Sequence, residues 1–187
     1  MLFNTPLFLG FFALFFVLYF FVFTQARLRA LFLVAASLVF YAGWDYRFVP
    51  LLVFSGVVDF FVAQQIEGHS QARQRKQWLL VSIAVNLGIL GIFKYSNFMI
   101  GSVQETLSFF GMPVSLGTLE VVLPVGISFY TFQSMSYTID VYRGETRARK
   151  DFVPFFATLS FFPQLVAGPI LRAKQILPQI ERFPQVT

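Results

Sequence analysis

Residues 6–23 form an 18-residue run with no charged side chain and no strongly polar one. At about 1.5 Å of rise per residue a helix of that length reaches about 27 Å, enough to cross the hydrocarbon core of a bilayer. Further apolar runs follow at residues 30–44, 48–66, 78–93, 121–139 and 152–171. A chain with this pattern has lipid as its natural solvent. Composition agrees: only 12% of the 187 residues are charged, against about 25% in ordinary soluble domains, and the mean hydropathy is +0.69.

Charge placement sets the topology. The net charge of +5 comes from 14 Lys and Arg against 9 Asp and Glu. The basic residues cluster between runs, at Arg27/Arg29, Arg73/Arg75/Lys76, Arg143/Arg147/Arg149/Lys150 and Arg172/Lys174. Successive loops up to residue 151 carry two, one, three, one and four of them, the alternation of a chain that keeps its positive loops in the cytoplasm. This places the N-terminus outside. A nucleic-acid surface would need cations and aromatics together on one wet element; here the aromatics lie inside the apolar runs, so nucleic acid is excluded as a partner.

The first run lacks the preceding positive charge and following small-residue site of a signal peptide. In the second, Tyr41 and Trp44 are rings of the kind that settle at the headgroup level. The fourth should close at Lys94 and Tyr95, with residues 96–120 forming an interfacial helix and an external loop. Residues 152–171 are uncharged, but Pro154, Pro163, Gly168 and Pro169 interrupt them. Proline removes a backbone hydrogen bond that lipid cannot replace, so a re-entrant hairpin or a pair of broken half-helices is expected, enclosed by protein. The expected fold is all-α and polytopic: about five transmembrane helices plus that broken segment.

Chemistry-bearing residues are few. No cysteine is present, so disulfides, thiolate metal sites and Cys nucleophiles are absent, and one histidine leaves little for metal or triad chemistry. His69 lies in the polar stretch 67–77 and reads as a solvated surface residue. No metal site and no bound cofactor are expected. Asp59, deep in the third run, needs a partner, whereas Lys94 can reach the interface. On a helical wheel of the fifth run Phe129, Phe132, Met135 and Ile139 share one face. Tyr130, Gln133, Ser134, Tyr137 and Asp140 share the other. Lipid would not tolerate that polar stripe; it either bonds neighbouring helices or lines a substrate path.

Four segments carry a resemblance: FYAGW at 40–44, FKYSNF at 93–98, LPVGISFYTFQSMSYTIDVYRG at 123–144 and FFPQLVAGPILR at 161–172. In this order they resemble the N-terminal part of bacterial membrane-bound O-acyltransferases (MBOAT) of the alginate O-acetyltransferase type. The resemblance implies that residues 1–187 belong to a single transmembrane domain of an inner-membrane enzyme. That enzyme passes an acyl group from a cytoplasmic donor, acetyl-CoA or an acyl carrier protein, to a polysaccharide outside. Extracytoplasmic acetylation proteins and membrane lipid are the implied partners. The family's catalytic histidine lies beyond Thr187 and His69 does not correspond to it, so the chain is expected to be inactive alone, with no catalytic residue of its own.

Tyr130, Gln133, Ser134, Tyr137, Asp140 and Gln164 would border the acyl tunnel, and Arg172 and Lys174 could meet the donor's phosphates. Gln164 stands where some relatives carry histidine, which leaves the acceptor open. A transporter or channel component, suited by broken helices and Asp59, and a non-enzymatic anchor of a polysaccharide secretion complex are the competing readings.

Overall fold

The computed structural model describes residues 5–112 and 123–167, and its regular elements there are all helical. Helix α1 (Pro6–Val17) starts where Pro6 occupies the first turn and the Thr5 hydroxyl accepts from the Phe8 amide at 3.3 Å. A π-helical turn (Leu18–Val22) follows. Next come α2 (Ala26–Asp45), a 3₁₀ turn (Tyr46–Phe48), α3 (Val49–Gly68) and α4 (Ala72–Phe109). The remaining helices are α5 (Ile127–Arg143), α6 (Phe152–Leu159) and α7 (Phe162–Ala167). The helical stretches Ala26–Gly68, of 43 residues with the 3₁₀ turn inside it, and Ala72–Phe109, of 38, are each long and apolar enough to cross a membrane.

Two elements depart from expectation. The fourth run does not end at Lys94 and Tyr95: α4 continues to Phe109 as one helix. Residues 94–109 include no proline, and a Gly or Ser costs a helix at most about 1 kcal/mol each, so nothing local stops propagation. Residues 113–120, the end of the expected external loop, lie outside the described residues, as do 121–122 of the fifth run. The polar stretch 67–77 is mostly helix instead of a loop between two runs; only His69 to Gln71 separate α3 from α4.

The broken segment is seen as two short helices as far as residue 167. Two of its prolines sit in first turns, Pro154 in α6 and Pro163 in α7, where no intrahelical N–H is lost; Gly168 and Pro169 lie outside the described residues. At the break the Ser160 hydroxyl donates to the Phe156 carbonyl at 2.7 Å. The Phe162 amide, an orphan donor of α7, bonds the buried Ser37 hydroxyl of α2 at 3.3 Å.

Helices α3, α4 and α5 make the most extensive contacts with one another. Arg75 near the start of α4 donates to the Tyr142 carbonyl at the end of α5 at 2.7 Å, so these two helices are antiparallel. The Glu67 carboxylate at the end of α3 accepts from the Ala148 amide at 2.6 Å, and Gln64 donates to the Arg149 carbonyl at 3.3 Å. The basic stretches around residues 73–76 and 143–150 therefore share one end of the bundle. At the other end, Asp45 grips its neighbour Arg47 at 2.6 Å and accepts the Arg47 amide. That side-chain hydrogen bond holds the Asp45 carboxyl below the usual carboxylate range.

A second core cluster, rich in phenylalanine, joins α1, α2 and α7. Phe11, Phe15 and Phe40 each meet Phe162 with ring centroids 5.1–5.4 Å apart, which seats α7 on α1 and α2. Helix α6 reaches α3 through Gly56, where an added Cβ would fall 2.7 Å from Phe156 Cδ2 and 3.1 Å from Leu159 Cδ2. Gly56→Leu should therefore lower thermal stability by about 1–3 kcal/mol. Gly10→Ala, with open space around it, should leave stability unchanged or raise it; melting curves in detergent distinguish the two.

Candidate functional site

Six polar side chains meet in the middle of the α3–α4–α5 bundle, and each helix supplies an i, i+4 pair: Ser55/Asp59, Ser82/Asn86 and Ser134/Thr138. That spacing puts both members of a pair on one helix face. All six are buried, with Asp59 fully enclosed. Asp59 accepts from the Ser82 hydroxyl at 2.5 Å, from Asn86 Nδ2 at 2.8 Å and from the Ser134 hydroxyl. Asn86 is oriented in turn: its amide also donates to the Ser82 carbonyl at 3.0 Å, and its Oδ1 accepts from Ser55 at 2.8 Å. Thr138 lies 3.0 Å from the Ser82 hydroxyl.

The partner that Asp59 requires is therefore a set of neutral donors from two other helices. Hydrogen bonds to a charged group are worth about 1.5–3 kcal/mol each, the right scale to offset the several kcal/mol of burying a carboxylate in an apolar medium. Composition alone did not reveal Ser55, Ser82 and Asn86. A polar pair four residues apart inside each of three apolar runs was the available signal.

The polar stripe of α5 faces inward. Tyr130, Gln133, Ser134, Tyr137 and Asp140 are all buried, while Phe132 on the opposite face is 41% exposed; Met135, assigned to the apolar face, is buried as well. Gln133 Nε2 donates to the Thr158 carbonyl at 3.3 Å and reaches Gln164 Oε1 at 3.5 Å, so the break between α6 and α7 sits against the stripe. The Tyr137 hydroxyl accepts from the Arg149 amide at 2.7 Å. Tyr130 packs in the same cluster as Tyr41, whose hydroxyl donates to the Val125 carbonyl at 3.1 Å. The Asp140 carbonyl receives the Glu145 amide at 2.9 Å, and among the described residues its Oδ2 has no hydrogen-bond partner.

Gln133, Ser134 and Tyr137 also border a cavity of about 10 Å³, lined in addition by Phe155, Thr158 and Leu159. A volume of that size is at the lower edge of what one water needs. Ser134 thus belongs to both the Asp59 network and the cavity wall. His69 Nδ1 lies 2.7 Å from the Gln65 carbonyl, at the end of α3 and away from this centre. Among the described residues no group of three or more metal-ligating His, Cys, Asp or Glu occurs. Arg172 and Lys174 lie outside the described residues.

Against known proteins, no protein-family profile matches the chain, and no solved structure does. Curated relatives do. The chain is 41% identical over 177 residues to the probable alginate O-acetylase AlgI of Pseudomonas aeruginosa, covering 93% of this chain and 32% of that protein. The AlgI of Azotobacter vinelandii is 40% identical over 175 residues, with 93% of this chain and 33% of that protein covered. The peptidoglycan O-acetyltransferase of Helicobacter pylori is 32% identical over 209 residues, at 97% and 39%. The chain is homologous to bacterial O-acetyltransferases. It spans about a third of the length of the two alginate O-acetylases.

Removing the carboxylate should expose the weight of the network. Asp59→Ala leaves Ser82, Asn86 and Ser134 donors buried without their acceptor and should cost about 3 kcal/mol or more. Asp59→Asn, which keeps one acceptor oxygen, should cost less. Thermal melts of the purified variants give the order; an Asp59→Ala variant as stable as the parent would show that the network holds nothing together.

Proposed function

We propose that this chain is the N-terminal part of a membrane-bound O-acyltransferase of the MBOAT type, an inner-membrane enzyme that O-acetylates a polysaccharide outside the cytoplasm. The observation that carries the reading is the similarity over 93% of the chain to the alginate O-acetylases, supported by the peptidoglycan O-acetyltransferase at 97%. In this reading the spans number about five, with the α6–α7 segment re-entrant. The N-terminus faces outward and the basic end faces the cytoplasm. Gathering the basic stretches 73–76 and 143–150 at one end supports that orientation.

The donor is acetyl-CoA or an acyl carrier protein at the cytoplasmic end, with Arg172 and Lys174 available to its phosphates. The acceptor is alginate or a related polysaccharide, presented with the help of extracytoplasmic acetylation proteins. The catalytic histidine belongs to the part of the enzyme after Thr187. There it would take the proton of the acceptor hydroxyl as that oxygen attacks the thioester carbonyl and the thiolate leaves. What the present residues contribute is a wall. Tyr130, Gln133, Ser134, Tyr137, Asp140 and Gln164 form an ordered polar surface in an apolar bundle, and bordering an acyl path is the use that fits it.

A transporter reading would lean on Asp59 as an ion-coupling carboxylate. The three donors that enclose Asp59 favour a structural role for it instead.

Gln133→Leu and Gln164→Leu in the full-length protein should each lower O-acetyl transfer at least tenfold while membrane insertion is retained, measured as acetyl groups released from polysaccharide and as protein recovered in membranes. Parallel loss of both quantities would make the stripe purely structural. Residues 1–187 alone should transfer nothing. Acyl transfer by the isolated chain would overturn the assignment of catalysis to the later part.

A further inference from the structure

Helix α4 is longer than the bundle it belongs to. It pairs with α3 in antiparallel register: Phe61 meets Trp78, Asp59 meets Ser82 and Ser55 meets Asn86. Phe48, just before α3, meets Phe93 with ring centroids 5.9 Å apart. At that last level α2 and α3 are joined by the turn that holds Asp45 and the exposed Arg47, charges that belong in the headgroup region or beyond it. Residues 94–109 of α4 therefore run on past this turn, for about 24 Å at about 1.5 Å per residue. The whole helix has 38 residues. It reaches about 57 Å, whereas a bilayer with its headgroups is about 40–45 Å thick. A tilt of about 40°, the top of the usual range, would be needed to hold all of it in the membrane.

The projecting half is amphipathic. Tyr95, Met99, Val103 and Leu107 fall within about 120° of one another on a helical wheel, and Lys94, Asn97, Gln104, Glu105 and Ser108 within about 100° on the opposite side. Two hydroxyls inside the apolar arc, those of Ser96 and Thr106, donate to the Ile92 and Ser102 carbonyls of the same helix. No side chain of α4 after Leu90 is buried, and Tyr95, Met99 and Val103 are 44–59% exposed. Lipid does not reach this face beyond the headgroups, and leaving it in water is unfavourable, so protein is the cover that fits. The chain aligns with about a third of the length of the alginate O-acetylases. In the reading above, the polypeptide after Thr187 is the largest source of such a cover.

We propose that Tyr95, Met99, Val103 and Leu107 form a docking face, outside the bilayer, for an apolar segment of the same polypeptide after Thr187, with Asn97, Glu105 and Ser108 left in water. The proposal rests on the reading of this chain as the N-terminal part of a longer enzyme. Its readout is the surroundings of a side chain and not acyl transfer, so an inactive protein with a protected face, or an active one with a bare face, separates the two.

The test uses the purified full-length protein in phosphatidylcholine vesicles, with single cysteines introduced as Met99→Cys, Val103→Cys, Glu105→Cys or Ser108→Cys and each carrying a nitroxide. Residues 1–187 contribute no cysteine of their own, and any after Thr187 is replaced by serine. Electron paramagnetic resonance reads collisions with oxygen, which concentrates in lipid, and with a neutral nickel chelate, which stays in water. Labels at Met99 and Val103 should meet the chelate several-fold less than labels at Glu105 and Ser108, and should meet oxygen poorly as well. Equal chelate access at all four positions would put the face in water, and high oxygen with low chelate access would put it in lipid; either result overturns the proposal. Protection accompanied by a nitroxide-to-nitroxide distance between copies, in double electron–electron resonance, would give the face to a second copy and overturn it too. Independently of the labels, Val103→Asp should lower the melting temperature by several degrees while Ser108→Asp leaves it unchanged, and equal melting of the two variants would also sink the docking face.

Discussion

Asp59 is the point on which the packing of this molecule turns. In a lipid-like surround helices gain little by hiding apolar faces from one another, so polar groups and close-fitting small residues decide which helix lies beside which. A single carboxylate on α3 that accepts from α4 and α5 defines the rotation of all three, because each partner presents its donors on one narrow face. The i, i+4 repetition of polar pairs gives the constraint two levels along each helix. A slip of either neighbour by one residue would strand a buried donor.

From that centre the other contacts follow. Orienting α5 by Ser134 and Thr138 also turns Gln133 and Tyr137 inward, where they meet the α6–α7 break and the 145–150 stretch. The break is held from the opposite side by Phe162 among the rings of α1 and α2, and by the Ser37 hydroxyl. Gly126, with φ of +77°, lets the chain enter α5 while an added Cβ there would lie 2.5 Å from the Leu165 carbonyl oxygen. Close backbone approach and polar pairing thus converge on the inward face of α5 and the α6–α7 break.

The two ends of the bundle differ in kind. One gathers the basic stretches 73–76 and 143–150. Beyond the other, α4 runs on well past its last buried residue, Leu90, with no buried side chain after it.

The apolar runs, the break in the helix between residues 152 and 167 and the inward direction of the α5 stripe could all be read from sequence. They depend on local rules: periodicity, proline chemistry and the cost of polar groups in lipid. The length of α4 was misread because Lys94 and Tyr95 mark a boundary for solvent and not for backbone hydrogen bonding, which continues through them. The partners of Asp59 were illegible for a different reason. Ser82, Asn86 and Ser134 lie 23, 27 and 75 residues from it, and only the three-dimensional crossing of α3, α4 and α5 brings them to one carboxylate. Sequence by itself determined that this chain needs an apolar solvent and an inward polar face. Tertiary structure alone decided which side chains satisfy that face, because hydrogen-bond partners are chosen by distance and angle in space, not by position along the chain.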